Sequence, residues 1–180
     1  MSEIKLPVLL FQQKTYLELI GVFHSNWSSI DLFTDYAIYQ FLKVTPQQAH
    51  LITSGMMFGR KAALLADLIR HSEHPNKSKI LDAFNVIRAA KRTIITHSYI
   101  RSDALSVTFM ERQNGNKFKA KEHTFTLKEL TSHVSEIHNA AIDFYNSLDV
   151  TGEELDAFVN AALSLNRRSS KSPHKPTSSK

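Results

Sequence analysis

Thr126-Leu127-Lys128-Glu129 is followed by apolar residues at Leu130, Val134, Ile137, Ala141, Phe144 and Leu148, and this pairing constrains the fold more than any other feature of the chain. The threonine and glutamate form a capping box, in which each side chain bonds the backbone N–H of the other's end. The apolar residues then recur at three- and four-residue steps, so one face of a long helix must be kept from water. A stripe of that length needs other apolar helix faces against it, which directs the chain toward a helical bundle.

Other start signals agree. Thr45-Pro46-Gln47-Gln48 combines an N-cap hydroxyl, a proline at the first helical position and a glutamine that can bond back. Its helix is expected to pause near Gly55 and Gly59 and to resume over Lys61–His71, until Pro75. The next helix carries Ile80, Phe84 and Ile87, and Thr151 with Glu154 opens a last one bearing Leu155, Phe158, Ala162 and Leu165. Toward the N-terminus one helix is expected over Gln12–His24, and a second from a Ser28/Asp31 capping pair through Phe33, Ala37 and Phe41. Between these the period changes: Leu105, Val107 and Phe109 alternate, Asn114-Gly115 is a hairpin turn, and Phe118 and Ala120 alternate after it. The expected architecture is mainly α, a bundle of five to six helices with one inserted β-hairpin at about 104–125.

The domain is expected over residues 1–166, with 167–180 a disordered basic Ser/Lys/Pro tail that has no large apolar residue to offset its ordering entropy. The formal charge of +5 resides largely there, since residues 1–166 hold 17 basic and 17 acidic side chains. Within that neutral body, residues 60–101 carry nine Lys/Arg against three acids, and residues 102–166 five against ten. The basic character belongs to one segment, not to the whole surface. The absence of cysteine excludes disulfides and thiol chemistry, and suits a reducing compartment. Leu6–Phe11 is too short for a signal core, and no apolar run approaches the ~18 residues of a membrane helix. These features predict a cytoplasmic protein without a membrane partner.

Arg88-Ala89-Ala90-Lys91-Arg92-Thr93-Ile94-Ile95-Thr96-His97-Ser98-Tyr99 carries the most chemistry. Arg88 and Arg92 are spaced to share a helix face. The β-branched Thr-Ile-Ile-Thr run favours a helix end near His97. Arginine can hold a phosphodiester bidentately and histidine can move a proton, so a catalytic or binding pair at Arg92 and His97 is chemically coherent. Arg88 and Lys91 would add phosphate contacts, and the hydroxyls of Thr93 and Ser98 polar support.

In this layout, over roughly 58–148, the chain resembles the HEPN domains of prokaryotic toxins, defence proteins and RNases. These are helical bundles with an arginine followed four to six residues later by a histidine, a spacing that Arg92 and His97 match. The resemblance implies a homodimer that binds RNA or a nucleotide and a possible endoribonuclease without metal or other cofactor. Arg92 would hold phosphate, and His97 would act as base or acid toward a ribose 2′-hydroxyl. Read without the resemblance, Arg92 is equally an inter-helix ion-pairing residue and His97 a cap on helix carbonyls. The chain is then a noncatalytic interaction or scaffold module for a partner protein, or a nucleic-acid binder acting through its tail.

Other patterns carry less. His71 and His74, and His133 and His138, are spaced as helix-end histidines more than as metal ligands, and no HExxH is present. The five glycines are scattered, so no phosphate loop exists. Trp27, Phe33, Tyr36, Tyr39 and Phe41 fall at helical spacings that suit a core or a dimer interface.

Overall fold

The computed structural model describes residues 6–103, 105–113 and 119–169. In chain order these form α1 (Leu6–Leu42), α2 (Pro46–Thr53), α3 (Phe58–Arg70), α4 (Lys77–Ala89), α5 (Arg92–His97), β1 (Tyr99–Ser102), β2 (Ser106–Gln113), β3 (Lys119–Thr126), α6 (Leu127–Ser147) and α7 (Gly152–Ser169). The protein is mainly helical, with a small antiparallel sheet of order β1-β2-β3. None of the helices is long and apolar enough to cross a membrane, among the described residues.

All three capping boxes form. Thr45 Oγ1 accepts the Gln48 N–H at 3.3 Å while Gln48 Oε1 accepts the Thr45 N–H at 2.9 Å. Glu129 and Glu154 accept from the backbone N–H of Thr126 and Thr151 at 2.8 and 2.9 Å. These backbone bonds hold both carboxyls below the usual carboxylate range.

The expected break between two N-terminal helices is absent, and α1 runs through it unbroken. Ser28 Oγ donates back to the His24 carbonyl at 3.1 Å, so the hydroxyl supports the helix it was expected to begin. Asp31 is drawn instead to Lys61. The expected hairpin is present as β2 and β3, paired from Ser106↔Thr126 to Gln113↔Lys119. Its Asn114-Gly115 turn and Phe118 lie outside the described residues. Val107 and Phe109 are buried as their alternation requires, whereas Leu105 precedes the strand and is 80% exposed. The strand β1 is an addition: four residues too short to show a period, paired to β2 from Tyr99↔Met110 to Ser102↔Val107. Asp103 makes the turn between them, accepting the N–H groups of Leu105 and Ser106, both at 2.8 Å. The last helix extends to Ser169, past the expected boundary at 166, and the rest of the tail lies outside the described residues.

The chain divides into two compact units. One comprises the residues up to Ile30 with Ser78–Phe144, and the other Asp31–Lys77 with the residues from Tyr145 on. In the first, Phe23, Ile80, Phe84, Ile87, Ile95, Phe109, Leu130 and Phe144 are fully or almost fully buried, with the Phe84 and Phe144 rings 5.2 Å apart. Burying a side chain of this size contributes about 1.5–3 kcal/mol, so this apolar set carries the unit's stability. In the second, Tyr36, Ala49 and Phe158 form a buried cluster covered by Leu32, Tyr39, Val44, Val150 and Leu155. His50 stacks on Phe158 at 4.0 Å, and its Nε2 bonds the Phe158 carbonyl at 2.8 Å.

A candidate anion-binding site around Lys91 and Arg92

The Arg88-to-Ser98 segment lies in the first unit, and its helix is not continuous. The helix α4 stops at Ala89, Lys91 has φ −77° and ψ 45°, and α5 begins at Arg92. Arg88 and Arg92 therefore belong to different helices, and their four-residue spacing no longer aligns them. The short α5 buries Ile95 and is tightened by Thr96 Oγ1, which donates to the Arg92 carbonyl at 2.8 Å.

Arg92 is half-buried, its guanidinium 5.3 Å from the centre of the Trp27 ring. Lys91 extends over Phe125, with Nζ 5.1 Å from the ring centre. An unbroken series of ring contacts connects these two anchors. Trp27 stacks on Phe23 at 5.8 Å, Phe23 on His133 at 6.2 Å, and His133 on Phe125 at 6.2 Å. Two cations adjacent in sequence are thus braced at opposite ends of a four-ring ladder drawn from α1, α6 and β3. A cation over a ring face is attracted by the ring's quadrupole, by about 0.5–2 kcal/mol depending on desolvation.

Neither cation has an ion pair among the described residues. The buried Nε of Arg92 has no hydrogen-bond partner there either. That Nε–H is enclosed, so a ligand would be met by the other nitrogens of the guanidinium. Within the ladder, burial pushes the His133 imidazole below its ordinary pKa, Glu136 at 4.0 Å opposes this, and Lys91 adds a smaller push downward. The surroundings are partly desolvated but not uniformly positive, since Glu136 acts on His133 more strongly than Lys91 does and Glu129 lies in the field of Lys91, so an anion with several acceptor oxygens would be held by the two cations themselves.

The other expected residues are dispersed. His97 closes α5 and is exposed, and no hydrogen bond or ion pair joins it to Arg92. Five helical steps turn about 140° and advance about 7.5 Å, so the two side chains leave α5 on different sides. Arg88 and Thr93 are exposed, while Ser98 is half-buried with an Oγ that has no partner among the described residues. His133, Trp27 and Phe125 were not expected in the site. The signal for His133 was its place beside the apolar stripe of α6, one residue before Val134. No group of three or more metal-ligating side chains gathers among the described residues. Comparison with protein-family models, with curated proteins and with solved structures finds no match for this chain.

Proposed function

We propose that the protein is a HEPN-like RNA- or nucleotide-binding protein whose phosphate contacts are made by Arg92 and Lys91. The supporting observation is the bracing of both cations on aromatic rings, with no carboxylate at ion-pair distance among the described residues; Glu129 feels the Lys91 charge only from farther off. An arginine that serves structure alone commonly ends on a carboxylate or a carbonyl; here the Trp27 ring braces the guanidinium, and no carboxylate is paired with it among the described residues. A phosphodiester supplies two acceptor oxygens in one plane, which suits that fork.

Endoribonuclease activity is the catalytic form of this proposal. His97, exposed at the other end of α5, would take the proton from a ribose 2′-hydroxyl. The oxygen would attack the adjacent phosphorus and expel the 5′-oxygen, which leaves with a proton from a second acid. The motif's histidine lies away from its arginine within one chain, so a homodimer in which one copy's His97 serves the other's Arg92 is the arrangement that would bring the pair together. A second reading, an interaction module for a partner protein, is favoured by one observation. The edge strand β1 presents Tyr99 and Ile100 at 55% and 44% exposure.

The deciding experiment measures binding and cleavage of single-stranded RNA in EDTA by wild-type protein and by the Arg92→Ala, Lys91→Ala and His97→Ala variants. Arg92→Ala should weaken binding by about tenfold or more. Lys91→Ala should reduce the salt dependence by about one phosphate contact. His97→Ala should bind as wild type and cleave nothing. A folded Arg92→Ala variant that binds RNA as tightly as wild type overturns the proposal, and cleavage undiminished in His97→Ala overturns its catalytic form.

A further inference from the structure

Exposed apolar surface gathers at one edge of the sheet. Tyr99 and Ile100 lie on β1, and Leu105, 80% exposed, follows in the turn to β2. Among the described residues β1 is paired on one side only, by β2, so its outer side keeps unpaired strand N–H and C=O groups. The opposite edge is built differently. There β3 sets out Lys119, Lys121 and Glu122, all exposed, a composition that discourages pairing with another strand. The one charge on β1 is Arg101, 3.8 Å from Glu122 with both side chains exposed.

What can pair with this edge is set by its own sequence. Ser98 is already extended, at φ −91° and ψ 157°, so the extended path runs from Ser98 to Ser102. The register with β2 puts Tyr99 and Arg101 on one face of the sheet and Ile100 on the other, with the buried Val107 and Phe109. A second copy added antiparallel across a two-fold axis must keep each face continuous, so the axis passes through one residue and its own copy. An axis at Arg101 would set guanidinium against guanidinium, and one at Tyr99 would set His97 against Arg101. At Ser98 or Ser102, the ends of the path, it would set the strand against α5 or the turn. An axis at Ile100 avoids all of these. It places Ile100 against Ile100 of the second copy, and Tyr99 against Arg101 of the second copy. His97 then comes opposite Asp103 of the second copy, and by symmetry both mixed pairs occur twice. A guanidinium beside a phenol ring and an imidazole beside a carboxylate are attractive cross-strand pairs. The Asp103 carboxyl stays ionised for this: the N–H groups of Leu105 and Ser106 hold it below the usual carboxylate range, with the Arg101 charge adding least.

We propose that β1 pairs with β1 of a second copy of this chain, antiparallel and centred on Ile100, joining two three-stranded sheets into one. The pairing rests on the reading of β1 as an interaction edge and is independent of the RNA contacts of Lys91 and Arg92.

The test is sedimentation of the full chain without RNA, which should show a reversible monomer–dimer equilibrium. Ile100→Lys, at an exposed position, sets two ammonium groups at the axis and should weaken the dimer about tenfold or more. Circular dichroism checks that the variant is folded. Because the chain has no cysteine, a single introduced thiol reports the register. Ile100→Cys should form an intermolecular disulfide on mild oxidation, since directly opposed residues bring their Cβ atoms to about 4.5–5.5 Å. Leu105→Cys, more exposed but far from the axis, should cross-link much more slowly. A chain that stays monomeric up to millimolar concentration overturns the inference, while leaving the edge open to a different protein. So does a dimer that Ile100→Lys leaves intact, or cross-linking as fast from Leu105→Cys as from Ile100→Cys, which would mean random collision.

Discussion

The Arg92 guanidinium lies 5.3 Å from the centre of the Trp27 ring, and Trp27 is only 5% exposed. The cation is therefore held by a side chain that belongs to the core, and its position is coupled to packing. Arg92→Met and Trp27→Leu should each destabilise the protein, and the double variant should lose less than the sum. A double-mutant cycle in urea should give a coupling of about 0.5–1 kcal/mol. Zero coupling would mean that the guanidinium and the ring are neighbours without interaction.

His133 gives this region a pH dependence. Its folded pKa is depressed, chiefly by burial between Phe23 and Phe125 and further by Lys91, against the attraction of Glu136. The unfolded chain then binds the proton more readily than the native one, so stability rises with pH across the window. The contribution is complete above the ordinary value of 6.5 and is lost as the pH falls through it toward the lower folded value. His133→Phe should keep the stacked rings and remove this slope. Urea midpoints between pH 5 and 8 for both proteins check it: the difference between variant and wild type should widen in the variant's favour as the pH drops.

The helices were legible because their signals are local. A capping box needs four residues and an apolar stripe needs one helix, so Thr45/Gln48, Thr126/Glu129 and Thr151/Glu154 could each be read in place. Ser28 misled because its hydroxyl serves equally well as an N-cap acceptor or as a donor to the carbonyl four residues back, and the second won. The pair Arg88/Arg92 misled because the chain leaves the helix at Ala90 and Lys91 without proline or glycine to mark the break. The ring ladder was illegible for another reason. It unites rings from α1, β3 and α6, and a single sequence holds no record of which distant residues meet. The Arg92/His97 spacing was visible, but the environment that gives Arg92 its character was not.

Two backbone positions predict opposite exchanges. Gly21 lies inside α1 with open space where a Cβ would stand, so Gly21→Ala should stabilise by about 0.5–1 kcal/mol through backbone entropy alone. Lys43 turns the chain out of α1 at φ 54°, a left-handed conformation that disfavours side chains with a Cβ. Lys43→Gly should therefore also stabilise, by about 0.5–1 kcal/mol, although glycine is the worse helix former. Thermal or urea unfolding decides both, and destabilisation by either exchange would contradict the backbone argument.

Lys61 is the most consequential charge in the second unit. At 6% exposure it reaches Asp31 at 3.2 Å and Asp35 at 2.9 Å, drawing α1 and α3 together. Burial raises the pKa of Asp35 even so, the lysine opposing it, which shows how much the carboxylate relies on that one cation. Lys61→Met keeps the apolar stem and removes the ammonium, leaving a buried carboxylate uncompensated at neutral pH. The loss should be about 3 kcal/mol, as for other broken buried pairs. It should shrink at acid pH, where Asp35 takes up a proton and no longer needs the lysine. Combining Lys61→Met with Asp35→Asn should recover much of the loss at pH 7, because an amide is far cheaper to bury than a lone carboxylate. Urea unfolding of the single and double variants at pH 5 and 7 measures this. If Lys61→Met unfolds as wild type at pH 7, the ion triad is a surface decoration and not the tie between these helices.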